Sequence, residues 1–126
     1  MLIQAKIKQY LQAKTALTAL VGTRIYPNYV PETSIHPAIS YFMVSNVRPH
    51  IKDGHIGEAQ PRFQFDIWAD SYGQAVEVER ELITALDDFN VVDGIYHSEY
   101  VGGNEAYEQA VKLHHFVVDY TIIYKE

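Results

Sequence analysis

The chain has 126 residues, 10 Lys and Arg against 16 Asp and Glu for a formal charge of −6, 48% hydrophobic residues and no cysteine. That length suits one domain able to bury roughly two-thirds of its extended surface, and the missing cysteine excludes disulfides, thiolate zinc sites and cysteine nucleophiles. No apolar run reaches the ~20 residues of a membrane helix, the first residues lack a signal-peptide pattern, and the acidic balance argues against broad binding of nucleic-acid phosphates.

Residues 2–20 are predicted to be one helix. Ile3, Ile7, Tyr10, Leu11, Leu17 and Leu20 recur mostly at three- and four-residue steps, Gln4, Lys6, Lys8, Gln12 and Lys14 face water, and Val21-Gly22-Thr23 supplies a stop. An extended piece at 24–27 leads into an irregular loop at 28–37, where Pro27, Pro31 and Pro37 bias the residues before them away from helix. Residues 38–47 read as a strand with apolar groups on both faces, which predicts cover on both sides. The polar, glycine-containing stretch 49–61 is longer than a tight hairpin needs, and such excursions tend to be functional or mobile.

Phe63, Phe65, Ile67 and Ala69 alternate with Arg62, Gln64, Asp66 and Trp68, a half-buried strand that leaves Trp68 opposite its strand's apolar face. Ser71 and Gln74 have capping-box spacing, opening a helix that runs to about residue 89 with Ala75, Val78, Leu82, Ala85, Leu86 and Phe89 in one stripe. Asp93-Gly94 marks a turn, 95–101 a short strand, Gly102-Gly103-Asn104 a flexible turn, and 114–125 a long final strand. This order predicts an α+β fold: a mostly antiparallel sheet of about four to five strands with two helices packed on one face.

Catalytic motifs are absent. His114 and His115 are adjacent in a strand, so they point to opposite faces and cannot share a metal. His50, Asp53, His55 and Glu58 have the spread of a chelating loop, but a solvated loop is the commoner meaning of such a stretch, and no metal or cofactor is expected. Asp66 and Asp119 are mid-strand acids; each could be a perturbed acid or base, but a cross-sheet pair with Arg62, Lys112 or a tyrosine hydroxyl is the simpler expectation. The tyrosines carry more information. Tyr41 and Tyr120 are expected in the core, whereas Tyr26, Tyr29, Tyr72 and Tyr100, in loops or at strand ends, suit a protein interface.

Leu20-Val21-Gly22-Thr23-Arg24-Ile25-Tyr26-Pro27 follows the first helix, Pro37-Ala38-Ile39-Ser40-Tyr41 opens a strand, and Phe65-Asp66-Ile67-Trp68-Ala69-Asp70-Ser71-Tyr72 leads into the next helix. With the final strand from Phe116 to Tyr124, this order resembles the tail completion proteins (tail terminators, or tail-to-head joining proteins) of long-tailed bacteriophages and related prophages, across nearly the whole chain. The resemblance implies a single non-enzymatic domain over residues 1–126, with residues 48–62 as a long flexible loop. Such subunits form a ring, commonly a hexamer, that caps the head-proximal end of the tail tube in the virion, after assembly in the host cytoplasm.

The implied partners are further copies of the chain, the tail tube protein and a head–tail connector or stopper, with no membrane. DNA would pass through the lumen without specific binding, past acids such as Glu99, Glu105 or Glu108. Candidate contact residues are Arg24, Tyr26, Tyr29, Arg48, His50, Lys52, His55, Arg62 and Tyr72. Another neck component, a stopper or adaptor, is the alternative. A small enzyme using Asp66 or Asp119 with a histidine is the reading from a different class.

Overall fold

The computed structural model describes residues 2–51, 54–55, 57–91 and 94–126, with Ile51, His55 and Val91 described by their backbone alone. Lys52 and Asp53 of the candidate sets, and Asp93 of the predicted turn, lie outside the described residues. Two helices, α1 (Ile3–Gln12) and α2 (Thr15–Val21), precede strands β1 (Ile25–Pro27) and β2 (Ala38–Ser45). Short strands β3 (His50–Ile51), β4 (Gly54–His55) and β5 (Glu58–Ala59) lead to β6 (Arg62–Ala69) and helix α3 (Tyr72–Asp87). A single 3-10 turn (Phe89–Val91) then precedes the long strands β7 (Ile95–Glu108) and β8 (Leu113–Lys125).

The expected first helix is two. Its apolar stripe stays in phase, with Ile3, Ile7, Tyr10 and Leu11 buried in α1 and Leu17 and Val21 in α2, so periodicity cannot register the break. Lys14 breaks it with an extended backbone, its ammonium 4.5 Å over the Tyr10 ring, and α2 packs on α3. The helix count among the described residues is therefore three rather than the expected two.

The sheet also departs from expectation. It runs β1-β2-β6-β8, with β7 on the outer side of β8 and β5 pairing the far end of β8, six strands in all, beside a separate β3–β4 hairpin. It is mixed, because β1 pairs with β2 in parallel, Ile25 opposite Ile39. The proline loop between them makes the crossover that a helix usually supplies. Tyr26 and Arg24 hold that loop: the Tyr26 hydroxyl lies 3.1 Å from Ser34 Oγ, and Arg24 Nε donates to the Pro37 carbonyl at 2.8 Å. The excursion after β2 is partly paired, through β3–β4 and through β5 on β8.

All three helices share one core with a single face of the sheet. Ile39 and Tyr41 of β2, Phe63, Phe65 and Ile67 of β6, and Phe116, Val118, Tyr120 and Ile122 of β8 point into it, all 2% exposed or less. Tyr41 donates to the Gln4 carbonyl and Tyr120 to Asp87 at 2.7 Å, so both buried phenols keep a partner. Burial, then the Asp87 carboxylate, pushes the Tyr120 hydroxyl far above the usual phenol range, which keeps it a donor. The capping-box spacing works as expected at one end: Ser71 Oγ accepts from Gln74 N, while Gln74 Oε1 reaches back to Asp70 N.

The predicted short strand and glycine turn at 95–104 are one continuous strand. β7 runs for 14 residues against β8, with Gly102 opposite Asp119 and Gly103 opposite Val118 and a register shift just before them. Such a bulge strengthens the local twist without ending the pairing. No helix among the described residues is long and apolar enough to cross a membrane.

Candidate interaction surfaces

The candidate contact residues do not gather into one patch. Arg24 and Tyr26 are half-buried and hold the proline loop. Arg48 makes a bidentate pair with Glu126, Nε and Nη2 at 2.8 and 2.9 Å from its two carboxylate oxygens. Arg62 pairs with Asp119 across the sheet, one of the pairings expected for that acid. His50 and His55 face each other in the β3–β4 hairpin through their backbones. Tyr29 and Tyr72 remain 67% and 52% exposed, although the Tyr72 hydroxyl donates to Glu105 at 2.9 Å. Among the described residues no group of three or more His, Asp or Glu is placed to hold a metal ion.

The helix-free face of the sheet carries the most concentrated polar chemistry. A cleft of about 840 Å³ lies there between the proline loop and the β7–β8 turn, lined among others by Tyr29, Glu32, Asp66, Trp68, Glu108 and His115. Trp68 stacks flat on His115, ring centroids 3.8 Å apart and 9° from parallel. His115 Nε2 lies 2.8 Å from Asp66 Oδ1, and Nδ1 lies 3.2 Å from Glu108 Oε1. His114, on the opposite face as alternation requires, packs edge-on against Tyr72 and Tyr107. The sequence flagged Asp66 and His115 separately; their meeting depends on the β6–β8 register, which sets Asp66 opposite Val117, next but one to His115.

Both nitrogens of His115 face carboxylates, an arrangement that favours the imidazolium, the one form able to donate at both. Burial works against that charge, but the hydrogen bonds and fields of Asp66 and Glu108 outweigh it and raise the pKa. Glu32 and His36, from the proline loop, line the same cleft. A histidine whose folded pKa is raised stabilises the fold fully below its unfolded value of about 6.5, and that contribution is lost as pH rises through the folded value. The urea midpoint of the wild type should therefore fall more steeply than that of His115→Gln as pH rises above about 6.5. Parallel pH profiles for the two proteins would contradict this charged bridge.

The outer edge of β7 is the third feature. β7 pairs with β8 alone, so one side of its 14-residue ladder has no strand beside it among the described residues. Tyr96, Tyr100, Val101 and Tyr107 are 46–55% exposed along it. Long apolar edge strands are templates for association, and proteins ordinarily shorten, cover or charge them.

Residues 5–125 match the family described as "Tail completion protein gp17". No protein of curated function matches the chain. Among solved structures, a chain of the "Virion of native gene transfer agent (GTA) particle" superimposes with a TM-score of 0.83 at 19% identity, covering 98% of this chain and 95% of that one. At that identity the likeness is one of fold.

Proposed function

The chain belongs to the tail completion protein gp17 family of phage tail structural proteins, and we propose that it is a tail terminator subunit. Copies form a ring, most simply a hexamer, on the head-proximal end of the tail tube, stop tube growth and present a surface to the head–tail connector. The observation that carries this reading is the family match over residues 5–125, almost the entire chain. The fold shared with a virion component and a subunit whose features are surfaces rather than a reaction centre support it. Of the candidate contact residues, Tyr29 and Tyr72 have ring surface left for a neighbour. A charge of −6 suits a lumen through which DNA moves without being gripped.

The cleft is the one observation that favours catalysis, since it brings Asp66 within hydrogen-bond reach of a histidine. A histidine base needs a free ring nitrogen to take a substrate proton. Here Asp66 and Glu108 occupy both, and Asp119 is held by Arg62. The triad is a cross-strand bridge.

Deleting the gene from its phage or phage-like element should abolish infectious particles and leave tails of uncontrolled length or heads without tails, as counted by electron microscopy. Tails of normal length beside heads that leak DNA would overturn the terminator reading in favour of a stopper. Normal infectious particles would overturn both.

A further inference from the structure

Charge is segregated along this chain. The first 31 residues contain Lys6, Lys8, Lys14 and Arg24 and no acid, a charge of +4. Residues 81–111 contain Glu81, Asp87, Asp88, Asp93, Glu99, Glu105 and Glu108 and no Lys or Arg, a charge of −7. Folding keeps parts of the two blocks apart. α1 lies at the C-terminal end of α3, where the Tyr10 hydroxyl donates to the Ala85 carbonyl and its ring packs 4.5 Å from Phe89. The far half of β7 lies at the N-terminal end of α3, where Tyr72 donates to Glu105. A helix of 16 residues separates them by about 24 Å at 1.5 Å per residue, well beyond the ~8 Å over which exposed charges act at physiological salt.

Each patch is built for contact. The outer face of α1 sets Ala5, Lys8, Gln9, Gln12 and Ala13 side by side around a shallow hollow, with Lys14 just beyond the helix end. No ion pair joins Lys8 or Lys14 to a described acid; Lys14 rests on the Tyr10 ring. The β7 edge has no strand beside it among the described residues and carries the exposed rings of Tyr100 and Tyr107; Glu105 lies on its helix-covered side, opposite Phe116, and Glu99 on the other side and nearer α1, opposite Thr121. Glu79 lies close enough to feel Glu105: burial first, then the Glu105 charge, raises the Glu79 pKa.

We propose that the acidic edge of β7 in one copy docks on the basic outer face of α1 in the next, which makes the heterologous contact that closes the ring. The inference rests on the ring reading above and names the two patches that reading leaves open. Two different surfaces of opposite sign allow head-to-tail association and disfavour face-to-face pairing of either patch with itself. The helix covers the strand edge, the exposed tyrosines are buried between copies, and like charge at Glu79 and Glu105 is relieved by a neighbour's lysines. Glu99 and Glu105 accordingly face a subunit contact in place of the DNA channel.

The test uses the full chain with substitutions confined to the surface, its fold checked by circular dichroism. Light scattering and sedimentation would compare four proteins at millimolar concentration and low salt, alone and with tail-tube ends: wild type, Lys8→Glu with Lys14→Glu, Glu99→Lys with Glu105→Lys, and all four changes together. Each pair of reversals should weaken assembly by about tenfold or more in dissociation constant, roughly 1.4 kcal/mol, and the fourfold variant should recover it. Because the chain has no cysteine, a mixture of Lys8→Cys and Glu99→Cys copies should also give a disulfide-linked dimer that neither forms alone. Wild-type assembly that both reversals leave unchanged, or that the fourfold variant fails to restore, overturns the docking and spares the ring. A wild type that stays monomeric in every condition overturns the ring and the docking together.

Discussion

Phe65→Ala is expected to lower the free energy of unfolding by about 3–5 kcal/mol, the usual cost of removing a fully buried aromatic ring. Phe65 is 0% exposed at the middle of β6, a strand paired on both sides, with β2 and β8. Its ring lies 6.0 Å from Tyr41, 6.5 Å from Phe63 and 6.5 Å from Tyr120, the last edge-on. Truncation removes these contacts at once, and three neighbouring strands cannot all close on the gap because their ladders set their separation. Urea unfolding measures the loss, with Val44→Ala as reference. Val44 is 45% exposed, and its truncation should change stability by less than about 0.5 kcal/mol. Similar losses for the two would mean that the core is not centred on this strand.

Gly103→Ala should be destabilising by about 1–3 kcal/mol, as a forced overpacking usually is, whereas Gly102→Ala should be neutral or stabilising. A Cβ at residue 103 would sit 2.6 Å from the Val117 carbonyl oxygen and 3.2 Å from the Tyr100 hydroxyl, and the nearer of these is backbone that cannot move without breaking the β7–β8 ladder. At residue 102 the same atom meets nothing within 4 Å, and replacing glycine in a strand recovers roughly 0.5–1 kcal/mol of backbone entropy. Hydrogen exchange should show the amides of 104–108 losing protection in Gly103→Ala alone. Since that segment carries Glu105 and Glu108, the substitution should also loosen the Tyr72 and His115 contacts that depend on them. Equal behaviour of the two alanine variants would refute the close approach at residue 103.

Much of the fold was legible in the sequence because its signals are local. The alternation through Phe63, Phe65 and Ile67 marked β6, and the stripe of Ala75, Val78 and Leu82 with the Ser71 cap marked α3. Burial of Tyr41 and Tyr120 followed from the same alternation. Where the reading failed, a residue's local preference was overridden from a distance. Gly102 and Gly103 look like a turn, yet β8 supplies a partner for each and the strand continues through them. Lys14 belongs by pattern to one long helix, but the packing of α2 on α3 goes with an extended backbone there. Strands without an intervening helix suggested antiparallel pairing, and the proline loop nonetheless returns β2 alongside β1 in parallel.

The candidate site divides in the same way. Arg24, Tyr26 and Arg48 are types that interfaces favour, but their partners Pro37, Ser34 and Glu126 lie 8 to 78 residues away and no spacing rule reveals them, whereas alternation along the strands already offered Arg62 as a partner for Asp119. By itself the sequence determined an acidic, cysteine-free α+β chain of tail-completion type, since composition, periodicity and motif order are written residue by residue. The tertiary structure alone decided which charges are paired within the subunit, Arg48 with Glu126, Arg62 with Asp119 and His115 with Asp66 and Glu108, because pairing is a matter of distance in space and strand register sets that distance.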